Sequence, residues 1–312
     1  YPITSFGLPV TSAYRPDPRI LELGDAFYDA VEPARFPSCT ARFLNGRWAE
    51  RIGLGDLINE QWAAHFCRFA PLPENLQQPL ALRYHGHQFR VYNPDIGDGR
   101  GFTFAQLRDE RDRLLDLGTK GSGQTPYSRT ADGRLTLKGG VREVLATEML
   151  EALGVNTSKT FALFETGEEL VRGDEPSPTR SSVLTRLSHG HIRIGTFQRL
   201  AFYGEVENLN SLVRYCLVNL YGEAAAEDPA KNALRLFDLV AGATARLAAS
   251  YMAAGFVHGV LNSDNVNITG ESFDYGPWRF TPDWDRDFTA GYFDHYGLYS
   301  FDRQPGAIHW DL

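Results

Sequence analysis

The sequence predicts an α+β fold of two lobes, and three observations predict it. An alternating strand pair ending in a lysine comes first, three amphipathic helical segments follow, and a loop dense in His, Asn and Asp comes directly after the last of them. Strands and one helix, then helices and a polar loop, suit an α+β architecture better than a doubly wound sheet, whose strands and helices alternate throughout. At 312 residues the chain has room for two lobes, at roughly 150 residues per domain.

Residues 1–80 are rich in Pro and aromatics, as at Leu8-Pro9, Tyr14-Arg-Pro16, Phe36-Pro37 and Pro71-Leu-Pro73, and predict an irregular N-terminal arm packed on a core. Residues 81–187 form the first lobe. Within it Phe102, Phe104 and Gln106 alternate with Thr103, Ala105 and Leu107, and after a charged turn Leu115, Leu117 and Thr119 alternate with Asp116, Gly118 and Lys120, which predicts a hairpin with Lys120 closing its second strand. A helix is predicted from about Leu137 to Leu153, with Val141, Val144, Leu145, Met149 and Ala152 on one face, Glu143 opposite, and Gly154 as the stop. Residues 188–312 form the second lobe. Leu209, Leu212, Val213, Cys216, Leu217 and Leu220 mark one helix before Gly222. Another opens at Asp228-Pro229, runs through Leu236, Val240, Leu247 and Tyr251, and ends at Gly255.

Composition excludes some functions. Hydrophobic residues make up 43% and charged residues 22% of the chain, ordinary values for a soluble globular protein. A net charge of −8 argues against nucleic acid held on a broad basic surface. No apolar run approaches the roughly 20 residues of a membrane helix, so a soluble protein without a membrane partner is expected. The first residue is Tyr1, so a targeting peptide would be invisible. Cys39, Cys67 and Cys216 follow no ligand spacing and predict reduced thiols of an intracellular protein. A monomer is expected, in the cytoplasm of a bacterium or the mitochondrion of a eukaryote.

The polar loop carries the chemistry. His258-Gly-Val-Leu-Asn-Ser-Asp-Asn-Val266, followed by Asp274-Tyr-Gly276, aligns with the protein-kinase H-R-D-L-x-x-x-N and D-F-G signatures. Asn265 and Asp274 take the positions that ligate the metal. Val260 falls where a kinase keeps its catalytic aspartate, and a valine neither orients nor deprotonates a hydroxyl. Asp264 is the substitute carboxylate. Lys120 at a strand end and Glu143 on the next helix fit the kinase Lys–Glu pair that positions phosphates. The fold expected is therefore protein-kinase-like and two-lobed with an N-terminal extension. A Walker A motif is absent, which disfavours a P-loop NTPase. His87 is assigned a structural or pocket-shaping role, and His258 braces the loop. Three readings stay open on the residues alone: an adenylyltransferase, a kinase-type phosphotransferase with Asp264 as base, and a nucleotide-binding pseudokinase without turnover.

A set of longer blocks narrows them. Gly86-His-Gln-Phe89, Gly97-Asp-Gly-Arg100, Lys120-Gly-Ser-Gly-Gln-Thr-Pro-Tyr-Ser-Arg129, Asp132-Gly-Arg134, Thr185-Arg186, His191-Ile-Arg193-Ile-Gly195-Thr-Phe197, the 258–265 loop and Asp274-Tyr-Gly-Pro277 closely resemble, in order, the signatures of the selenoprotein O family, also called the YdiU type. The resemblance implies a pseudokinase that binds ATP in reverse orientation and transfers AMP to hydroxyls of protein substrates. It implies Asp264 as proton acceptor and Asn265 and Asp274 as ligands of Mg²⁺, with Mn²⁺ also accepted. Lys120, Glu143, Arg100, Arg186 and Arg193 would hold the triphosphate, and Gly97, Gly99, Asp132 and Gly133 would line the nucleotide site. Members usually extend beyond this C-terminus, so a truncated or short member is expected. Leu261, Ser263, Val266 and Trp278-Arg279 depart from the usual pattern and spare the proposed metal and base positions.

Overall fold

The computed structural model describes residues 11–173 and 175–312. Its strands are β1 (Tyr28–Ala30), β2 (Thr40–Leu44), β3 (Leu80–Leu82), β4 (Gly86–Gln88), β5 (Val91–Asn93), β6 (Thr103–Arg108), β7 (Leu114–Lys120), β8 (Leu135–Thr136), β9 (Lys159–Leu170), β10 (Thr179–Ser188), β11 (Phe256–Val257) and β12 (Arg279–Phe280). Its helices are α1 (Gly46–Arg51), α2 (Asn59–Phe66), α3 (Leu137–Ala152), α4 (Ile194–Phe202), α5 (Val206–Tyr215), α6 (Pro229–Ala254) and α7 (Gln304–Asp311). The described residues thus form a mixed α/β protein with one large antiparallel sheet, ordered β1-β3-β6-β7-β10-β9-β2 with β8 on β10, and seven α-helices. The small ladders β4–β5 and β11–β12 stand apart from it.

The hairpin expected from the alternation is β6–β7, with Gln106 opposite Asp116 and Arg108 opposite Leu114. Its turn is tied by the Asp109 carboxylate, which accepts the backbone N–H of Arg111 and Arg113 at 3.0 and 2.9 Å. Lys120 ends β7 as predicted. In the helical part, α5 continues through a π-helical turn at Cys216–Leu220. The Asp228 side chain caps α6 by accepting the Ala230 N–H, and left-handed Gly255 ends it.

Three expectations are corrected. Residues 1–80 are not irregular throughout. β1 and β2 form the two edges of the main sheet, and α1 and α2 carry Trp48, Trp62 and Phe66 into the core against Phe104 and Phe161. These elements are too short for a periodicity to show in sequence. The thiols are not all reduced: Cys39 and Cys67 form a disulfide with Cα atoms 6.2 Å apart, while Cys216 is free and buried. Their separation of 28 residues carries no signal, because it is the packing of α2 under the sheet that brings Cys67 to Cys39. Finally, α3 does not bury its apolar stripe. Val141, Leu145 and Met149 are exposed, and the helix instead buries Gly140, Glu143, Ala146, Thr147 and Leu150. The small and polar face wins because α3 lies close on the sheet, with Thr147 Oγ1 bonded to Thr160 Oγ1 of β9 at 2.9 Å. Among the described residues, no helix is long and apolar enough to cross a membrane.

Candidate active site

One cleft of about 470 Å³ opens between the end of β7 and the 258–276 loop, a size within the range of small-molecule sites. It is lined by Gly97, Gly99, Arg100, Lys120, Arg186, Arg193, Asp264, Asn265 and Asp274, all singled out in the sequence. Glu143 stands behind Lys120 and pairs with it, both side chains buried. The geometry follows from local structure. Lys120 ends a fully buried strand, and Thr136 caps α3 by accepting the Gly139 N–H at 3.1 Å, which sets Glu143 two turns in, on the buried face. Gly97 is needed for close approach, since a Cβ there would fall 2.5 Å from Cγ of Tyr127.

Asp132 and Gly133 are not in the cleft wall. Asp132 accepts Arg172 at 2.8 Å and the backbone N–H of Arg134 at 3.0 Å, so its carboxylate is committed to the turn that leads into β8.

Asp274 sits at the centre of the positive charge. Arg186 donates to its Oδ1, Arg193 to its Oδ2 at 3.2 Å, and Lys120 Nζ lies 3.7 Å from Oδ1. Burial pushes this carboxyl up, but the three cations outweigh it and hold Asp274 well below the usual carboxylate range. Its backbone is left-handed, with φ of 56°, an unfavourable conformation for a non-glycine residue that is retained at functional sites. Arg193, at the N-cap of α4, also lies 3.3 Å from Asp98 and 4.2 Å over the Tyr84 ring.

Arg186 is itself aimed. Its Nε donates to His191 Nε2 at 3.0 Å, and His191 Nδ1 meets Asp116 Oδ2 at 3.3 Å. Because Nε2 accepts, the proton must sit on Nδ1 and donate to Asp116, so His191 is a neutral imidazole. Burial pushes its pKa down, in agreement. Asp116 also accepts Gln106 Nε2 at 2.6 Å. A side chain at Gly118 would meet His191 Cε1 at 2.6 Å, which explains that glycine in mid-strand.

Asp264 has a contrasting environment. It lies in the short turn Ser263–Asn265, and Val260 adds an apolar wall. Gln88 Nε2 donates to its Oδ2 at 3.4 Å, and Oδ1 is buried without a hydrogen-bond partner. Burial, only partly offset by Arg193, pushes its carboxyl up to about 6. The β4–β5 hairpin sits directly on this turn. His87 N–H donates to Ser263 Oγ at 2.8 Å, Phe89 N–H to Asn262 Oδ1 at 3.1 Å, and Asn93 Nδ2 holds Gln88 Oε1 at 3.0 Å. The two turn residues, Phe89 and Arg90, have φ of 51° and 62°, a conformation usually left to Asn-Gly. His258, buried, meets the Phe273 carbonyl through Nε2 at 3.0 Å and so ties the 258 loop to Asp274.

Asn265 donates its amide nitrogen to the Val260 carbonyl at 3.1 Å, which leaves its Oδ1 as an acceptor. Among the described residues, no three His, Cys, Asp or Glu side chains group to hold a metal. The donors present, Asn265 and Asp274 with the unpartnered Asp264 Oδ1 alongside, are oxygen ligands of the kind that would suit Mg²⁺. The sequence assigns no site role to Gln88, Asn93, Asp98, Asp116 and His191, although Gln88, Asp98 and His191 lie within the blocks that carry the resemblance. Gln88 stands next to His87 in the Gly86–Phe89 block, and no local spacing ties it to Asp264, 176 positions away.

The cleft can therefore hold a polyphosphate against Lys120, Arg186 and Arg193 and offer a separate carboxylate to a hydroxyl. Cationic side chains beside an uncommitted carboxylate are what nucleotide-dependent group transfer requires. A family model described as "Protein adenylyltransferase SelO" matches residues 10–312, and the chain belongs to that family. It is 49% identical over 299 residues to the protein nucleotidyltransferase YdiU of Synechocystis sp., a match covering 95% of this chain and 62% of the relative. Its identity to the YdiU protein of Trichodesmium erythraeum is 51% over 297 residues, covering 93% and 62%. For that of Gloeobacter violaceus it is 52% over 292 residues, covering 93% and 59%. The chain spans about six-tenths of the length of these relatives.

Proposed function

We propose that this chain is the catalytic part of a protein adenylyltransferase, transferring AMP from ATP to Ser, Thr or Tyr hydroxyls of proteins. The observation that carries the reading is the split between two carboxylates on one cleft: Asp274 gripped by cations, Asp264 held only by the Gln88 amide and with Oδ1 buried and unpartnered. The acceptor oxygen attacks the α-phosphorus as its proton passes to Asp264. The bond from the α-phosphorus to the oxygen bridging to the β-phosphate breaks, and pyrophosphate leaves with its charge stabilised by Lys120, Arg186 and Arg193. Arg100, exposed at the mouth, reaches the outer phosphates. Asn265 and Asp274 would hold Mg²⁺, which supplies charge neutralisation on the phosphates when bound.

The same reading takes the fold as protein-kinase-like, with residues 1–80 as an extension, 81–187 as the first lobe and 188–312 as the second. ATP lies inverted relative to a kinase, and Val260 needs no catalytic function. The same reading takes the protein as a monomer, cytoplasmic in a bacterium or mitochondrial in a eukaryote; the relatives above are bacterial.

The test is incubation of the wild type and Asp264→Ala with α-labelled and γ-labelled ATP, Mg²⁺ and an acceptor protein. Retained α-label with an adenylyl mass increment, lost in the variant, is expected. Retained γ-label would restore the kinase reading, and nucleotide binding without either label would leave a scaffold.

A further inference from the structure

We propose that the acceptor polypeptide docks on the aromatic, acidic face formed by residues 283–299, and that it carries Lys or Arg near the hydroxyl. This rests on the adenylyl-transfer reading of the cleft and names the substrate class for it. The face abuts the loop that carries Asp264. Asn262, two residues before it, accepts both the Phe89 N–H and the Tyr299 hydroxyl, at 3.1 and 2.5 Å. The Phe89 ring packs on Tyr299 at 5.2 Å and on Phe293 at 5.8 Å, and Phe293 on Tyr292 at 5.3 Å. This row of rings runs from the catalytic turn out to the surface, where Tyr292 is 83% and Tyr296 91% exposed. A depression of about 410 Å³ lies there, with Asp287, Asp294, Tyr292 and Tyr296 in its walls and Arg303 beside them, its guanidinium donating to the Tyr296 carbonyl at 3.0 Å. Contiguous exposed aromatics mark interaction surfaces, and tyrosines supply contact area with little side-chain entropy to lose.

Charge selects the partner. Asp283, Asp285 and Asp287 are exposed and make no ion pair among the described residues, while the one arginine between them, Arg286, is committed to Asp302. The interior of the cleft is the reverse, with Lys120, Arg186 and Arg193 turned toward it. A basic acceptor is attracted to the rim and kept out of the phosphate site, whereas an acidic one meets repulsion outside and competes with ATP inside. Lys and Arg also stack favourably on exposed tyrosines.

The experiment is fluorescence anisotropy on the whole chain, with two labelled peptides of equal length, each with Ser and Tyr, one flanked by Lys and Arg and the other by Asp and Glu. The basic peptide is expected to bind about tenfold tighter at low salt. Changing Asp283, Asp285 and Asp287 together to Asn should abolish that preference, and Tyr296→Ala should weaken the basic peptide, with ATP binding unchanged in both. Equal binding of the two peptides, or a preference that survives the triple change, overturns the proposal. Transfer of α-label is followed in parallel. Label on acceptors without a charge preference would sink the docking face and leave the chemistry standing, and a charge preference without label would do the opposite.

Discussion

Asp264 and Asp274 line the same cleft ten positions apart in sequence, yet their surroundings drive them in opposite directions. Asp274 is surrounded by Arg186, Arg193 and Lys120 and stays ionised far into acid. Asp264 has a single amide donor, an unpartnered oxygen and an apolar wall, and is pushed up to about 6. Where two carboxylates are pulled apart in this way, their roles divide. The lowered one remains a fixed anion among cations, and the raised one can take a proton near neutral pH. Burial alone does not distinguish them; the number of cations within reach does.

The comparison breaks most readily at Asp264. Asp264→Asn is expected to lower AMP transfer by about 10²–10⁴-fold, measured with α-labelled ATP. The same variant should melt higher than wild type at pH 8. The sign follows from the raised pKa: the folded state binds this proton more tightly than the unfolded chain does, so an ionised Asp264 costs stability that appears as pH rises from about 4 to about 6. A lower melting temperature in the variant would mean that the carboxylate is well solvated or paired.

Asp274→Ala should do the reverse to stability. It leaves Arg186 and Arg193 buried without their shared anion, at a cost of about 3–5 kcal/mol in denaturant unfolding. Because the Asp274 pKa is lowered in the fold, its contribution is present above the usual carboxylate pKa and is lost only as pH falls toward its depressed native value.

His191→Phe sharpens the comparison by acting on one side only. It removes the acceptor of Arg186 and the donor to Asp116, and is expected to cost about 1–3 kcal/mol and raise the KM for ATP. On the proposed mechanism the acid limb of the kcat profile reports Asp264, and it should not move. The smallest effect is expected from Gln88→Leu. Loss of the amide donor to Asp264 should shift that limb upward by about half a unit to one unit, leaving the KM for ATP close to wild type.

What the sequence made legible was local. The β6–β7 alternation, the caps of α6 and the spacing of Asp264, Asn265 and Asp274 on one loop all lie within a few turns of chain, where periodicity and motif operate. The pairing of Lys120 with Glu143 was reached by motif. The rest depended on contacts across the fold. His191 meets Asp116 from 75 positions away, and Gln88 meets Asp264 from 176, separations at which no spacing rule applies. The face of α3 was read the wrong way round because Val141, Leu145 and Met149 form a convincing apolar stripe, whereas close packing on the sheet favours Gly140, Ala146 and Thr147. Asp132 and Gly133 came from resemblance alone, and Asp132 is held by Arg172 outside the cleft wall.

The most direct test is a titration of the carboxyl ¹³C shifts of Asp264 and Asp274 in the free protein between pH 4 and pH 8, assigned with Asp264→Asn and Asp274→Asn. The account predicts one carboxyl, Asp264, titrating near pH 6, and Asp274 ionised throughout. Two carboxyls titrating together near the ordinary aspartate value of about 4 would contradict it.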